Sequence, residues 1–283
     1  EHMSTLYLSD LDGTLFNREK KITDKSVQIL NQCIDSGMKF SIATARMPYG
    51  CDYRLENLHL QIPGILTNGV FLYDFREKRY VSVETIESSA AQQTVDILKE
   101  NGLSCFLYMY REDGIHIFYG DESLKSQTQY YSERALTQCA EVSYSADLME
   151  ELEKGQAVYI AYTGEKARLQ PVCGRLDHIE GISYSFYLNI YNGSYCLEVY
   201  SDRASKQEAL KRLKEYTGCD EVVVFGDNWN DVPMIEIADR SYAPENALEE
   251  IKKMTTGVIG GCDDDGVAGF LKKEWAKKGG CAR

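Results

Sequence analysis

Residues 6–16 read Leu-Tyr-Leu-Ser-Asp-Leu-Asp-Gly-Thr-Leu-Phe, or LYLSDLDGTLF. An apolar, strand-like run here ends in two aspartates, Asp10 and Asp12, followed at once by Gly13 and Thr14. Adjacent carboxylates repel each other, so a fold that keeps them close usually uses them. The alternative is a solvated turn at the end of a strand, because Asp and Gly are common turn residues.

Apolar runs alternate with helical periodicity over the first 83 residues. A helix is predicted from Thr23, as the N-cap, to a stop at Gly37. Residues 39–43 are predicted to form a second strand and residues 64–69 a third, closed by Asn68-Gly69. The order strand, helix, strand, helix, strand indicates an α/β fold with a parallel sheet.

The middle of the chain has a different pattern, which predicts an inserted α+β domain over residues 84–190. A helix candidate at Ser88–Asn101 precedes a predicted hairpin formed by Cys105–Tyr110 and Ile115–Tyr119. Helices are then predicted near 121–135, 145–154 and 164–178, with strands near 156–162 and 182–188. The core domain is therefore assigned to residues 1–83 and 191–283.

The α/β pattern resumes after the insertion. Ser205-Lys-Gln-Glu208 has the form of a capping box and begins a predicted helix that stops at Gly218. Residues 222–225 form a continuous apolar run, as expected of a central parallel strand covered on both faces. This run leads directly into Gly226-Asp-Asn-Trp-Asn-Asp231.

Composition limits the partners that we expect. The 283-residue chain has a formal net charge of -13, and this negative field argues against nucleic acid and anionic membranes as partners. No apolar run is long enough to suggest a membrane span, and no signal-peptide pattern begins the sequence. Nine scattered cysteines without a C-x-x-C pair indicate reduced thiols and a cytoplasmic protein. Glu1-His2 resembles the remnant of an expression tag.

Polar clusters follow three of the predicted strands: Asp10 with Asp12, Thr44 with Arg46, and Asp227 with Asp231. Ligands bind outside the carboxyl ends of strands in open parallel sheets, so we expect these clusters to converge with Lys206 on one crevice. Four aspartates in one crevice would repel strongly without a metal ion. Carboxylates without His or Cys suit Mg²⁺ rather than zinc. Lys206, Thr44 and Mg²⁺ would then form a positive pocket for a phosphoryl group.

These residues resemble the four ordered motifs of the haloacid dehalogenase (HAD) superfamily. The motifs are DLDGT at 10–14, Thr44, Lys206 and GDNWND at 226–231. The insertion between the second and third motifs resembles the type C2 cap of the Cof-like phosphatases. The likeness extends to ILTNG at 65–69, PENA at 244–247 and DGVA at 265–268. It implies a Rossmann-like core with an inserted cap.

The resemblance also implies a role for each motif residue. Asp10 would be the nucleophile that forms an aspartyl phosphate, and Asp12 the general acid and base. The implied metal ligands are a carboxylate oxygen of Asp10, the backbone carbonyl of Asp12, and Asp227, with Asp231 and Asn230 as outer partners. The implied contacts to the substrate and its phosphoryl oxygens come from Thr44, Arg46, Asn68, Gly69 and Lys206.

Each of these residues has an alternative, purely structural interpretation. Lys206 could be a solvated lysine, although a cation at a helix start is mildly unfavourable. Thr44 could satisfy the end of a strand, and Arg46 could pair with a surface acid. Asn68-Gly69 could form only a hairpin turn. For Asp265 we favour the structural interpretation, a helix cap on the surface.

The sequence therefore predicts a Mg²⁺-dependent phosphatase that acts on a small phosphomonoester. The substrate class implied is a sugar phosphate or a phosphorylated cofactor such as flavin mononucleotide or pyridoxal phosphate. A phosphomutase, a phosphometabolite-binding regulator without turnover and a receiver-like phosphoacceptor are the alternatives. A pure binder has no use for Asp10 beside Asp12, and a receiver has no need of the second aspartate or the insertion. The sequence indicates neither the individual substrate nor an oligomeric state.

Overall fold

The computed structural model describes residues 3–112, 114–131, 140–188 and 193–280. The strands are β1 (Thr5–Ser9), β2 (Lys39–Ile42), β3 (Gly64–Leu66), β4 (Phe71–Asp74), β5 (Arg79–Val83), β6 (Phe106–Arg111), β7 (Gly114–Tyr119), β8 (Ala140–Tyr144), β9 (Gln156–Gly164), β10 (Ile182–Leu188), β11 (Tyr195–Ser201), β12 (Glu221–Phe225), β13 (Arg240–Pro244) and β14 (Gly257–Ile259). The α-helices are α1 (Asp24–Asp35), α2 (Pro48–Cys51), α3 (Ser88–Glu100), α4 (Leu148–Leu152), α5 (Lys166–Leu176), α6 (Lys206–Thr217), α7 (Val232–Ile237), α8 (Glu249–Met254) and α9 (Gly266–Lys277).

The chain divides into two compact units. The first combines Glu1–Ser82 with Ser205–Arg283, and the second is Val83–Ala204. The first division lies next to the expected boundary at 83/84. The second lies 14 residues beyond the expected boundary at 190/191, which itself falls outside the described residues. The reason is β11, which pairs with both β10 and β9 and so belongs to the inserted unit.

A five-stranded parallel sheet with the order β14-β13-β12-β1-β2 forms the centre of the first unit. Every residue of β1 and of β12 is buried, as expected of parallel strands that are covered on both faces. On one face, the side chains of Leu6, Leu8, Val222 and Val224 pack into one hydrophobic cluster. Because β1 and β12 are parallel neighbours, the residues that follow them lie at the same edge of the sheet.

Local sequence signals fix the helix ends in this unit. The Thr23 side chain accepts a hydrogen bond from the Ser26 N–H and caps α1, and the Ser205 side chain accepts one from the Glu208 N–H and caps α6. α6 ends at Gly218, whose φ of +65° places it in the left-handed region. These predicted helix boundaries are confirmed.

The third predicted strand lies in a different sheet from the one expected. β3 belongs to a three-stranded sheet with the order β3-β4-β5 and pairs antiparallel with β4. One isolated parallel bridge, between Ala43 and Ile65, links it to the end of β2. The tight turn at Thr67–Gly69 sends the chain straight back into β4, so β3 gains an antiparallel neighbour and the parallel sheet ends at β2.

The second unit contains a six-stranded, largely antiparallel sheet with the order β10-β11-β9-β6-β7-β8. Buried residues of α3, α4 and α5, among them Leu98, Leu152 and Leu169, pack against Leu107 and Leu197 of this sheet. The predicted hairpin is confirmed as β6 and β7. The helix expected near 121–135 is a 3₁₀ segment at Glu122–Tyr131, and residues 132–135 lie outside the described residues.

None of the helices in the described part of the chain combines the length and the apolar composition that crossing a bilayer requires.

Candidate active site

Asp10 and Lys206 meet in the buried centre of the site. Asp10 directly follows β1, and Lys206 is the first residue of α6 and is 1% exposed. The Lys206 Nζ donates to Asp10 Oδ1 at 3.1 Å, to Asp231 Oδ1 at 2.7 Å and to the Ala43 carbonyl at 2.9 Å. Burial alone would lower the pKa of Lys206, but the two carboxylates outweigh it and raise that pKa. Lys206 is therefore a fixed positive charge and not a solvated lysine.

The loop after β12 contributes the other carboxylates. Asp231 is fully buried, and its Oδ2 accepts the N–H groups of Asp227 at 2.9 Å and Asn228 at 3.2 Å. Asp227 Oδ1 accepts the Thr14 hydroxyl at 3.1 Å. Because Asp231 uses one oxygen for the loop backbone and the other for Lys206, it holds the loop against the start of α6.

The aspartates form a cluster suited to a divalent cation. One carboxylate oxygen from each of Asp10, Asp227 and Asp231 lies within 4.8 Å of the others. Burial and the charge of Asp231 raise the pKa of Asp10 well above its usual value, although Lys206 opposes them. Burial likewise raises the pKa of Asp227. One lysine does not balance this negative charge, and an all-oxygen donor set fits Mg²⁺.

Asp12 lies beside Arg46 and not in this cluster. Arg46 Nε donates to Asp12 Oδ2 and Arg46 Nη2 donates to Asp12 Oδ1, both at 2.7 Å. A third donor, Arg46 Nη1, reaches the Gly50 carbonyl at 2.8 Å. Partial burial would raise the pKa of Asp12, but the bidentate pairing with Arg46 outweighs it and lowers that pKa. The partner of Arg46 is thus a site residue, an arrangement that its position in the sequence did not indicate.

Gly13 allows the chain to pass close to Asp227. Its φ is +75°, and a Cβ at this position would lie 2.3 Å from Asp227 Oδ2. Only glycine avoids both the left-handed strain and this overlap. The turn after Asp12 is therefore shaped by the carboxylate that it faces.

The turn at Thr67–Gly69 packs against the segments that carry Thr44 and Lys206. Thr44 is buried; its hydroxyl accepts the Arg46 N–H at 3.1 Å, and its carbonyl accepts the Asn68 N–H at 3.0 Å. Asn68 has a φ of +50°, and its buried Oδ1 has no hydrogen-bond partner among the described residues. A Cβ on Gly69 would lie 2.2 Å from the Ser205 carbonyl oxygen. The turn therefore lies directly against the N-cap of α6.

The remaining candidates lie at the edge of the site. Asn230 is exposed, and no hydrogen bond described in residues 3–280 connects its side chain to the carboxylate cluster. Trp229 is 54% exposed, so it points away from the protein interior. Two residues without a predicted role also contact the site. The Thr14 hydroxyl donates to Asp227, and the Asn246 amide donates to the Gly13 carbonyl at 2.8 Å. The only sequence feature that could have indicated a role for them is that Thr14 lies within DLDGT and Asn246 within PENA.

The comparisons with known proteins all indicate the same family. Residues 7–271 match the family described as haloacid dehalogenase-like hydrolase. The chain is 25% identical over 281 residues to the 5-amino-6-(5-phospho-D-ribitylamino)uracil phosphatase YwtE of Bacillus subtilis, covering 93% of this chain and 95% of the relative. It is 26% identical over 274 residues to the pyridoxal phosphate phosphatase YbhA of Escherichia coli, with the same two coverages.

Solved structures show the same fold. TM0651 from Thermotoga maritima superposes with a TM-score of 0.76 at 23% identity, covering 96% of this chain and 97% of that one. The HAD subclass IIB sugar phosphatase BT4131 superposes with a TM-score of 0.70 at 19% identity, covering 96% and 98%. Both likenesses extend over the parallel-sheet unit and the inserted unit alike.

Proposed function

The chain belongs to the haloacid dehalogenase-like hydrolase family, and from that premise we propose that it is a Mg²⁺-dependent phosphatase of small phosphomonoesters, acting through an aspartyl-phosphate intermediate. The observation that carries this proposal is the buried contact of Lys206 Nζ with Asp10 Oδ1 at 3.1 Å, beside Asp227. A carboxylate held next to a fixed cation and a metal-ligand set is arranged to attack the phosphorus atom of an anionic phosphoryl group. An ion pair between Lys206 and Asp10 with a purely structural role would not need the carboxylate of Asp227 beside it.

Asp10 and Asp12 divide the chemistry between them in this proposal. An Asp10 oxygen attacks phosphorus, the bond from phosphorus to the leaving oxygen breaks, and Asp12 donates its proton to that oxygen. In the second step Asp12 accepts a proton from water, the water oxygen bonds to phosphorus, and Asp10 is released with inorganic phosphate. Arg46 holds Asp12 as a carboxylate, so we propose that Arg46 transfers its hydrogen bonds to the substrate when Asp12 carries the proton.

Other residues would bind the charge that develops on the phosphoryl group. Lys206 and Thr44 would contact the phosphoryl oxygens, and Asn68 and Gly69 would line the same pocket. The ligands that would hold Mg²⁺ are Asp10, the Asp12 carbonyl and Asp227, with Asp231 holding the loop. When bound, the ion supplies electrostatic stabilisation of the phosphoryl oxygens and offsets the repulsion among the carboxylates.

The names of several relatives, which refer to small phosphorylated compounds, support the substrate class that we propose. We propose a sugar phosphate or a phosphorylated cofactor such as flavin mononucleotide or pyridoxal phosphate. A cytoplasmic location is part of this proposal, because the seven cysteines in the described residues are free thiols.

Release of inorganic phosphate from a panel of phosphorylated metabolites tests the proposal. We expect activity with Mg²⁺ and none in excess chelator. Asp10→Asn should remove turnover because the amide is a far weaker nucleophile, while the melting temperature remains close to that of the wild-type protein. Undiminished turnover in chelator, or substantial activity in freshly purified Asp10→Asn protein, would contradict the covalent, metal-dependent mechanism.

A further inference from the structure

The turn that follows β13 contacts both loops of the carboxylate cluster. The Asn246 side chain donates from Nδ2 to the Gly13 carbonyl at 2.8 Å, and its Oδ1 accepts the Cys262 N–H at 2.8 Å. Two residues later, the Leu248 N–H donates to the Asp227 carbonyl at 3.2 Å. One short segment, residues 246–248, therefore holds the backbone of the Asp10–Thr14 loop and the backbone of the Asp227–Asp231 loop.

The position at which Asn246 acts is sensitive to small displacements. The Gly13 backbone lies so close to Asp227 that a Cβ would be 2.3 Å from its Oδ2. The next residue, Thr14, donates its hydroxyl to Asp227 Oδ1. A displacement of the Gly13 carbonyl would therefore shift the Gly13 backbone against Asp227 and disturb the hydrogen bond from Thr14 to Asp227 together.

We propose that Asn246 is a positioning residue for the metal site: its side chain fixes the distance between the Asp10–Thr14 loop and Asp227. The inference rests on the proposed Mg²⁺ site. Outer partners that orient metal ligands typically change metal affinity about 10–100-fold when they are removed. Among the described residues, no hydrogen bond joins the Asn246 side chain to a carboxylate of the proposed metal ligands, so its effect is transmitted by the Gly13 carbonyl.

The chain offers a matched control in Asn31. Its Nδ2 donates to the Asn57 carbonyl at 2.9 Å and its Oδ1 accepts the His59 N–H at 2.8 Å, which is the same kind of bridge between two backbone segments. The hydrogen bonds that the two amides donate are both exposed; the bond that Asn31 accepts is exposed as well, whereas the one that Asn246 accepts from Cys262 is partly buried. Asn31 contacts none of the site residues described above, so its loss should affect stability without affecting metal binding.

The experiment compares Mg²⁺ binding to substrate-free protein by calorimetry for wild type, Asn246→Ala, Asn246→Leu and Asn31→Ala. Leucine keeps the branched heavy-atom shape of the asparagine side chain, with somewhat larger methyl groups, while removing both hydrogen bonds; together with alanine it separates hydrogen bonding from packing. We expect the Mg²⁺ dissociation constant to rise about 10-fold or more for both Asn246 variants and to stay unchanged for Asn31→Ala. At saturating Mg²⁺ the Asn246 variants should regain the wild-type KM for substrate.

The outcomes separate this inference from the proposed function. If the wild-type protein binds no Mg²⁺, the proposed function fails. If the wild type binds Mg²⁺ and the Asn246 variants bind it equally well, the positioning role fails and the proposed function stands. A loss of affinity as large in Asn31→Ala as in Asn246→Ala would show general loosening of the fold and would also overturn the positioning role.

Discussion

Lys206→Met should lower the stability of the metal-free protein by an amount far above that of an ordinary surface substitution. Lys206 is 1% exposed and makes contacts of 2.7 Å and 3.1 Å with two buried carboxylates. Removing one partner of a buried ion pair leaves uncompensated charge and costs about 3–5 kcal/mol. Methionine keeps most of the side-chain length and removes the charge, so the expected loss comes from electrostatics rather than from a cavity.

The loss in Lys206→Met should depend on pH with a definite sign. The pKa of Asp10 is raised in the folded protein, so protonation of Asp10 favours the folded state. This contribution to stability is fully present below the unfolded pKa of about 3.8 and is lost as the pH rises through the folded pKa. Removing the lysine charge raises the pKa of Asp10 further. The stability deficit of the variant should therefore be larger at pH 8 than at pH 5.

Urea unfolding at both pH values, with and without Mg²⁺, measures these effects. Lys211→Met is the control on the same helix, because Lys211 is exposed and pairs at 2.8 Å with exposed Glu208; such pairs contribute about 0–1 kcal/mol. Added Mg²⁺ should narrow the Lys206→Met deficit, since the cation supplies the missing positive charge. A Lys206→Met deficit no larger than that of Lys211→Met, or one that is unaffected by Mg²⁺, would refute the electrostatic reasoning.

Substitutions at Asp12, Arg46 and Gly69 should each disturb a different property. Asp12→Ala should slow the first step about 10²–10⁴-fold with a sugar phosphate yet give a burst of nitrophenol, near one per site, with p-nitrophenyl phosphate; equal first-turnover losses for both substrates would exclude Asp12 as the acid. Arg46→Ala should raise the pKa of Asp12, which NMR titration measures; an unchanged Asp12 titration would contradict this. The difference in unfolding free energy between wild type and Arg46→Ala should become smaller as the pH falls toward the Asp12 pKa. Gly69→Ala should lower the free energy of unfolding by about 1–3 kcal/mol, and by more than Gly37→Ala, because both glycines have a φ of +106° but only the Gly69 Cβ would overlap Ser205.

Local patterns in the sequence were enough to predict the elements that position the carboxylates. The apolar run at residues 222–225 of β12 and the capping signals at Thr23 and Ser205 each involve only residues close together in the sequence, so they could be recognised without knowledge of the fold. The convergence of Asp10 with Asp227 could be expected because they follow β1 and β12, and the carboxyl ends of parallel strands share one edge. The catalytic roles assigned to these residues remain predictions.

Features that depend on distant partners could not be predicted. Asp265 was expected to be a surface helix cap, and it does occupy the N-cap position of α9, but its side chain makes no hydrogen bond to that helix. Its carboxylate instead accepts the hydroxyls of Thr23 and Ser26 at the start of α1. The pairing of Arg46 with Asp12 depends on side-chain geometry that no spacing reveals. β11 pairs with strands of the inserted unit although its sequence pattern resembles that of the core, so the second boundary was placed too early.

The strand order of the parallel sheet has a consequence for how the chain folds. β1 lies between β2 and β12, and its residue Thr5 bonds to Glu221, 216 positions later. Contacts of such sequence separation slow folding because a long loop must close before they form. Thr5 is therefore synthesised 216 residues before its partner Glu221, and β1 keeps one unpaired edge until β12 has emerged. The inserted unit has a hydrophobic core of its own and can be complete by then. Fragments that end before β12 should expose the unpaired edge of β1, and we expect such fragments to aggregate through that edge.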